Sequence, residues 1–379
     1  MLFPSRILTK PADNEMEICV FGPGYGESIV VYIPGVGWGI IDSCVTKIEG
    51  ETIIPPLLYL LALLDPPYPP LSFVVLTHPH EDHYLGLNHI INEYPGGIER
   101  VCRYDGDGIR ELKIFITKQR ASNNNILPNL PQIFNSMDNA VKAGATLRRL
   151  GEMTSIIDLS NTTIEGYGTT DIKLTALSPS AISVKKYIEK LFSLFPQIGK
   201  EVKPGDDKLH NMISVCLFLK IGTLQIIFGS DVESGTDDNT GWAGILSNRD
   251  CPDLWANFVK IAHHGAVSGY NTDAWTKHIK RGKPFSAITP FCKGKNSLPA
   301  DEDINNYKSI LNKIGITTSL ILSEKIEEYY SRKVITAIKS KTKSFKIIKP
   351  HNKIGFIRYR FLLDGTVTEE LAESPAKWI

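Results

Sequence analysis

The stretch VVLTHPHEDHYLGL, residues 74–87, places three histidines and two acids within six residues, directly after an apolar run. The overlapping segment SFVVLTH predicts a buried strand. The segment DHYLGLNHIINEY predicts a helix opened by an acid, with Leu85, Leu87, Ile90 and Ile91 on its buried face. The titratable residues therefore lie at the carboxyl end of a strand, where α/β proteins place their chemistry.

The residues of this cluster follow the pattern His78-x-His80-x-Asp82-His83. Imidazole nitrogens suit zinc, and a carboxylate completes a site for a divalent cation. Residues two apart on an extended loop face the same way, so His78 and His80 can bind one ion. Asp82 and His83 open the next helix and can turn toward a second ion. The alternative, a chance group of surface histidines, is rare with only 9 histidines in 379 residues.

Three other predicted strands carry a metal-binding residue at one end. His210 stands four residues before Ser214, where a strand begins, Asp231 ends IIFGSD, and His263-His264 ends VKIAHH. Each is weak evidence alone, since His210 could cap a helix or lie on the surface, and Asp231 could be a turn acid. Their recurrence at strand ends favours one common site.

The order of predicted elements favours an α/β chain that forms a four-layer αβ/βα sandwich of two mixed β-sheets flanked by helices. Strands occupy the first forty residues, SVCLFLKIGTLQIIFGSD predicts a hairpin, and strand–helix alternation follows. We expect a single domain over residues 1–379. It has a possible helical insertion near 181–209 and a basic β-rich tail near 330–379.

These motifs resemble those of the metallo-β-lactamase superfamily. THPHEDH is similar to its signature, GPGYGESIVVYIPGVGWGIIDSC to its opening hairpin, HNMIS to its third motif and GSD to the element carrying its bridging aspartate. AHHGAVSG resembles the HHGS element of one branch, which includes the hydrolase domain of bacterial DNA-uptake channels and the choline-phosphate esterases. Many relatives in the DNA-uptake branch have no third-motif histidine, whereas this chain has His210. The resemblance implies a binuclear zinc hydrolase fold.

The resemblance also implies roles for individual residues. The implied metal ligands are His78, His80 and His210 for one ion, Asp82, His83 and one of His263 and His264 for the other, and Asp231 as the bridge. The downstream small residues favour His264 as the ligand and turn His263 toward the substrate, although the reverse assignment stays open. Asp82 and His263 are the expected catalytic residues, and Asp42 matches the structural aspartate of the superfamily.

The expected activity is that of a binuclear metal-dependent hydrolase, with two divalent ions (Zn²⁺, or else Mn²⁺ or Fe) activating a bridging hydroxide. We expect a phosphodiesterase or nuclease acting on a nucleotide-type substrate or nucleic acid. The alternatives are a carboxylic ester, thioester or lactam hydrolase and a non-catalytic metal-binding module. Lys293, Lys339 and Lys343 are candidate substrate residues, the last two on predicted tail strands with one basic face. A solvated sheet edge also explains those tail lysines.

The composition limits the class of protein. The net charge of +1 and the hydrophobic content of 42% are ordinary for a soluble domain and predict no overall field directed at nucleic acid or membrane. IIPPLLYLLALLDPPYPPL is too short and too rich in proline to span a bilayer. We therefore expect a cytoplasmic protein without a membrane partner. The six cysteines are scattered, which predicts reduced thiols.

Overall fold

A computed structural model describes most of the chain. The described residues are 3–106, 112, 129–193, 207–235, 237–293, 296–311, 313–318, 320–322, 331–339, 346–348 and 353–379. The predicted strand ELKIFIT and the predicted turn SNNN lie outside them, apart from Leu112.

The strands are short and most carry β-branched or aromatic residues, which favour extended backbone. In chain order they are β1 Glu15–Phe21, β2 Ser28–Ile33, β3 Gly37–Ile41, β4 Thr46–Ile48, β5 Glu51–Ile53, β6 Phe73–Leu76, β7 Arg100–Arg103, β8 Thr146–Arg149, β9 Thr154–Ile164, β10 Gly168–Ala176, β11 Leu217–Ile221, β12 Leu224–Phe228, β13 Phe258–Lys260, β14 Phe285–Ile288, β15 Phe291–Lys293, β16 Asn296–Leu298, β17 Gly315–Ile316, β18 Leu320–Leu322, β19 Lys346–Ile348, β20 Phe356–Leu362, β21 Val367–Glu373 and β22 Lys377–Trp378.

The helices lie between these strands. In chain order they are α1 Pro55–Leu63, α2 Glu81–Tyr84, α3 Leu87–Glu93, α4 Leu130–Lys142, α5 Ala181–Ser193, α6 Gly241–Ser247, α7 Asp301–Lys308 and α8 Arg332–Lys339. The predicted helix near NTDAWTKHIKR forms a π-helical turn, Ala274–His278, that continues as a 3₁₀ turn. Helix α1 begins at two prolines, as predicted, because proline at the first helical positions sacrifices no helical hydrogen bond.

Two eight-stranded mixed sheets form the centre of the molecule. The first has the order β21-β20-β1-β2-β3-β6-β7-β8 and the second β22-β17-β14-β13-β12-β11-β10-β9. In the first sheet β3, β6, β7 and β8 run parallel, and in the second β12, β13, β14 and β17 do. The predicted hairpin is confirmed as the antiparallel pair β11–β12, with Gly222 at φ +59° in its turn. Among the described residues, three further strand pairs form small sheets: β4–β5, β15–β16 and β18–β19.

Alternation along the strands separates three hydrophobic clusters. On β1, Met16, Ile18 and Val20 pack between the two sheets, whereas Cys19 and Phe21 pack on the outer face beneath the helices. This period of two is what a strand with two buried faces requires. A third cluster, including Trp242 and Trp275, covers the outer face of the second sheet. The predicted four-layer αβ/βα sandwich is confirmed.

Two predictions of local structure were wrong. The single helix predicted over DHYLGLNHIINEY is two helices, α2 and α3, separated at Gly86, whose φ of +87° belongs to the left-handed region that glycine tolerates. The break turns Leu87 and Ile90 into the core. In the basic tail, residues 332–339 form helix α8 instead of a strand, with Ile335 buried at 4% exposure. The helix buries Ile335 while residues 331–334 stay exposed, a pattern that the predicted alternation did not anticipate.

Two further expectations concern cysteines and membrane spans. All six cysteines lie in described positions and none forms a disulfide, as the sequence predicted. Within the described ranges, every helix is too short or too polar to cross a bilayer.

The packing of β3 on β6 provides a test of the fold. Gly39 lies opposite Phe73, and a Cβ at this position would overlap the Phe73 ring. We expect Gly39→Ala to lower the free energy of unfolding by about 1–3 kcal/mol in urea titrations, because the core must shift around the added methyl. The control Gly151→Ala should stay within about 0.5 kcal/mol, since its nearest neighbour, Thr154 Oγ1, would lie 3.7 Å away. Equal effects of both changes would contradict this packing.

Candidate metal centre

The candidate ligands meet because the strands that carry them are neighbours within the sheets. The segment 78–83 follows β6, Asp231 follows β12, and His263-His264 follows β13. Strands β12 and β13 run parallel, so their carboxyl ends lie at the same edge of the second sheet. His264 Nε2 lies 3.0 Å from Asp82 Oδ2, across 182 residues of sequence. The structure therefore brings the strand ends of both sheets to one place.

The first group of side chains consists of His78, His80 and Asp231, whose ligand atoms lie within 4.8 Å of one another. His78 Nε2 lies 3.9 Å from Asp231 Oδ2. His80 Nδ1 lies 3.0 Å from Asp82 Oδ1, although neither atom has hydrogen-bond geometry. These distances place three nitrogen or oxygen donors around one point.

The second group consists of Glu27, His83, Asp231 and His264, all buried. His83 Nε2 lies 3.3 Å and His264 Nε2 3.6 Å from Asp231 Oδ1. Asp231 thus presents one carboxylate oxygen to each group, which is the arrangement expected of a bridging residue.

Glu27 approaches the same histidines from the opposite side. Its Oε1 lies 4.0 Å from His83 Nδ1, and its Oε2 lies 3.7 Å from His264 Nδ1. Its Oε2 also accepts hydrogen bonds from Lys260 Nζ at 2.5 Å and from Thr289 Oγ1 at 2.7 Å. Glu27 therefore supports the outer edges of the rings, whereas Asp82 and Asp231 face their Nε2 atoms.

Hydrogen bonds at Nδ1 determine which nitrogen of each ring is free to bind a metal. His264 Nδ1 lies 2.9 Å from the carbonyl oxygen of Thr289, which can only accept, so Nδ1 carries the proton. His83 Nδ1 lies 2.7 Å from Asp42 Oδ2, which likewise accepts from the ring. Both rings thus direct an Nε2 lone pair inward, as in other protein sites where a second partner orients a metal-binding histidine.

His78 is oriented by a chain of hydroxyl groups. Ser214 donates to Ser230, Ser230 donates to Thr77, and Thr77 donates to Asp42 Oδ2. Each hydroxyl proton is committed to the next member, so Thr77 Oγ1 can only accept from His78 Nδ1 at 3.1 Å. The Nε2 atom of His78 is again left as the lone-pair donor.

Unpaired buried atoms test whether these residues fit metal ions. Among the described residues, His78 Nε2, His80 Nδ1, His83 Nε2, Asp82 Oδ1 and Asp231 Oδ1 are buried and make no hydrogen bond. An unpaired buried polar atom is costly and rare, and here all of these atoms are metal-ligand types facing the same two groups. The donor set, nitrogen with carboxylate oxygen, matches the preference of zinc and related divalent ions.

The charges at the centre also fit divalent cations. Four carboxylates, those of Glu27, Asp42, Asp82 and Asp231, are buried beside one buried ammonium group, that of Lys260. If all are ionised they leave three negative charges in a low-dielectric interior, which is unfavourable without cations. Two divalent ions would offset this negative charge.

The pKa shifts of the acids follow from the same crowding. Burial raises the pKa of Asp82, but His83, His80 and His264 outweigh burial and hold it well below its usual range. Burial likewise raises the pKa of Asp231, and His264 and His83 hold it well below its usual range. Both acids therefore remain ionised and available to a cation.

The pKa values of the buried histidines are shifted in opposite directions. Burial lowers the pKa of His83, but the Asp231 and Asp82 carboxylates outweigh it and raise that pKa well above its usual value. The same balance raises the pKa of His264. Burial, reinforced by His83, holds the pKa of His78 well below its usual value. The carboxylates therefore favour protonation of His83 and His264 in the metal-free protein, and a bound cation would compete with those protons.

His210 belongs to neither of the two groups. It belongs to the 3₁₀ segment Asp207–Ile213, is buried, and its Nδ1 lies 3.4 Å from the hydroxyl of Tyr187 on α5. Burial, with a smaller contribution from His80, lowers its pKa to about 3. The ligand role of His210 stays a prediction.

His263 and His264 have different surroundings. His264 is 1% exposed and belongs to the second group, whereas the side chain of His263 is 13% exposed. His263 Nδ1 lies 2.8 Å from Ser268 Oγ, and its Nε2 accepts from Asn211 Nδ2 at 3.2 Å. Burial lowers the pKa of His263 despite the nearby Asp231. The Nε2 lone pair of the neutral ring is therefore engaged by Asn211.

The backbone around the centre is strained. Asp42, Ser230, His263 and His264 have φ values of 57°, 45°, 49° and 53°. Side chains other than glycine rarely adopt this left-handed region, and such strain in proteins concentrates at functional sites. Each of these residues either contacts a metal-binding group or belongs to one.

Several contacting residues were missed by the sequence analysis. Glu27, Lys260 and Asn211 lie within stretches quoted for other residues and were not singled out, and contacts distant in sequence bring them to the site. One usable signal was a charged residue bordering an apolar strand, as in ESIVVYI and FVKIA. Of the predicted substrate residues, Lys293 lies beside the segment 78–83 and is hydrogen-bonded to Glu81 and Tyr25. The side chains of Lys339 and Lys343 lie outside the described residues.

Comparisons with known proteins yielded a structural likeness alone. No family model and no curated protein matches the chain. Matches among solved structures comprise 67 chains, among them Zn²⁺-bound PqqB from Methylobacterium extorquens. That match has a TM-score of 0.32 and 12% identity, and covers 64% of this chain and 71% of PqqB. The architecture described above rests on the strand order of this chain and not on that match.

Asp42 provides a test of how the centre is oriented. Asp42→Asn removes the charge that fixes the Nδ1–H tautomer of His83, and we expect zinc affinity to fall by about 10- to 100-fold. Competition with a chromogenic chelator measures this dissociation constant. The control Asp158→Asn, at an acid 53% exposed, should leave zinc affinity unchanged. If both variants bind zinc like the wild type, Asp42 does not orient a ligand.

The raised pKa values of His83 and His264 predict a pH dependence. Their protonated forms stabilise the metal-free fold below the unfolded pKa of about 6.5, and that stability is lost as pH rises through the folded pKa. Zinc requires the neutral rings, so the rise in Tm on adding zinc should be larger at about pH 8 than at about pH 6. Asp82 and Asp231, with depressed pKa values, lose their contribution only at lower pH. A zinc-induced rise in Tm that is the same at both pH values would contradict the raised pKa values of His83 and His264.

Proposed function

We propose that this chain is a metal-dependent hydrolase that binds two divalent ions between its sheets. The convergence of unpaired, buried ligand atoms carries this proposal: His78 Nε2, His83 Nε2, Asp82 Oδ1 and Asp231 Oδ1 lack partners while the outer nitrogens of both rings are engaged. The two groups share Asp231, which supports a pair of ions over two separate sites.

In this proposal the bound ions, Asp82 and His263 have separate roles. Bound ions of this kind lower the pKa of water toward neutrality and polarise a phosphoryl or carbonyl oxygen. Asp82 contacts both groups, with Oδ1 3.0 Å from His80 Nδ1 and Oδ2 3.0 Å from His264 Nε2. His263, whose side chain is 13% exposed, faces the substrate in this proposal, and Asn211 and Ser268 hold its ring in place.

We propose a phosphodiester as the substrate class, in a nucleotide-type molecule or in nucleic acid. Two observations support it: the resemblance of AHHGAVSG to the HHGS element, and the position of Lys293, which is hydrogen-bonded to Glu81 beside the candidate ligands. Lys339 and Lys343 remain proposed contacts to a nucleic-acid backbone.

Asp82 tests this function. Purified wild-type protein should bind about two equivalents of zinc or manganese and hydrolyse bis(p-nitrophenyl) phosphate. Asp82→Asn should lower kcat by about 100-fold or more, because the variant loses the charge that attracts a cation. Circular dichroism should confirm that the variant folds, and Asp158→Asn serves as the control for kcat.

Other outcomes would replace the proposal. Hydrolysis of p-nitrophenyl acetate without hydrolysis of the phosphodiester would assign a carboxylic ester, thioester or lactam hydrolase. Elemental analysis that finds no metal, with no uptake on reconstitution, would rule out metal-dependent hydrolysis altogether.

A further inference from the structure

Glu81, Tyr25 and Lys293 form a closed polar triad beside the metal centre. The Tyr25 hydroxyl donates to Glu81 Oε2 at 2.5 Å, and Lys293 Nζ donates to the same oxygen at 2.5 Å and to the Tyr25 hydroxyl at 2.6 Å. Lys293 Nζ also lies 4.6 Å from the centre of the Tyr25 ring. A single carboxylate oxygen thus receives two donors from two different segments.

The triad borders the site by both covalent and packing contacts. Glu81 stands between His80 and Asp82 in the chain. Phe291, two residues before Lys293, packs with its ring centre 5.2 Å from that of His264 and 5.4 Å from that of Tyr25. A group that replaced the Glu81 carboxylate would therefore lie at the entrance to the metal centre.

The backbone around the triad is held independently of these side chains. Cys292 N donates to Gly24 O at 2.6 Å, and Glu27 N donates to Asp82 O at 2.9 Å. These bonds connect the β15–β16 hairpin to the loop at residues 22–26, and Glu27 to the segment 78–83 that carries candidate ligands. The Glu81 side chain can therefore leave its partners without releasing the segments that carry them.

Because the triad is partly exposed to solvent, another anion can replace the Glu81 carboxylate at little cost in stability. The side chains of Lys293 and Glu81 are 57% and 25% exposed, and ion pairs in such positions contribute little net stability. An anionic oxygen of a substrate offers the same charge-assisted hydrogen bonds to an ammonium and a phenol. Such a substrate competes with Glu81 for the same two donors.

We propose that Glu81 occupies the position of an anionic substrate group in the free protein, and that Lys293 and Tyr25 bind that group once Glu81 swings away. This inference rests on the proposed function, because it identifies the donors that receive the anionic part of that substrate. Glu81 then acts as an internal competitor that discriminates against weakly binding ligands, and Lys293 as a residue of anion specificity.

Removing the competitor and removing the donor should have opposite effects. Glu81→Gln should lower KM for bis(p-nitrophenyl) phosphate by about two- to fivefold, since it removes an exposed ion pair that competes with the substrate. Lys293→Met should raise that KM by about tenfold through the loss of a charge-assisted hydrogen bond. In the double variant the Glu81 effect should vanish. The control Lys277→Met, which breaks an exposed pair with Asp273, should change nothing.

A binding measurement separates this inference from the proposed function. Calorimetric titration of the zinc-loaded protein with phenylphosphonate, which is not hydrolysed, should show the same opposite changes in Kd. This result is expected even if the chain hydrolyses neither chromogenic substrate. If the Glu81→Gln variant binds the phosphonate more weakly, or loses zinc, the triad only stabilises the local structure and the inference is wrong. Equal Kd values for all variants would also overturn it.

Discussion

The carboxylate of Asp42 is the interaction on which the centre depends. It accepts the backbone N–H of Thr77 on Oδ1 and the Thr77 hydroxyl and His83 Nδ1 on Oδ2. Asp42 follows β3 and Thr77 follows β6, so this contact ties the ends of two adjacent parallel strands. Through Thr77 it also sets the proton direction at His78. One buried acid thus orients a histidine of each group without facing the metal positions itself.

That acid can be buried only because its charge is satisfied by hydrogen bonds and by His83. The same requirement applies to every carboxylate nearby. Glu27 meets it with Lys260 and Thr289, whereas Asp82 and Asp231 meet it through histidines whose protons a cation would replace. Burial of several like charges is unfavourable unless opposite charges accompany them. The arrangement is therefore built around positive charge, supplied by protons or by metal ions.

The architecture determines where this chemistry can occur. In each large sheet the parallel strands carry the site residues at their carboxyl ends, and the antiparallel strands supply most of the packing between the sheets. Positive φ values at Asp42, Ser230, His263 and His264 turn the backbone sharply enough to direct side chains into the gap. The hydrophobic clusters on both faces of each sheet hold these strained turns in place. Rigid strands and strained turns together provide a preorganised site.

The sequence by itself determined the features that depend on neighbouring residues. Apolar alternation located the strands, prolines located the start of α1, and the spacing of His78, His80, Asp82 and His83 identified the site and its donor types. Only the tertiary structure revealed Glu27, whose partners Lys260 and Thr289 are 233 and 262 residues away. It placed His264, and not His263, in the second group of candidate ligands. It also decided that residues 332–339 are helical and that a helix breaks at Gly86. Such features follow from which strands become neighbours and how tightly they pack, and a local pattern does not contain that information.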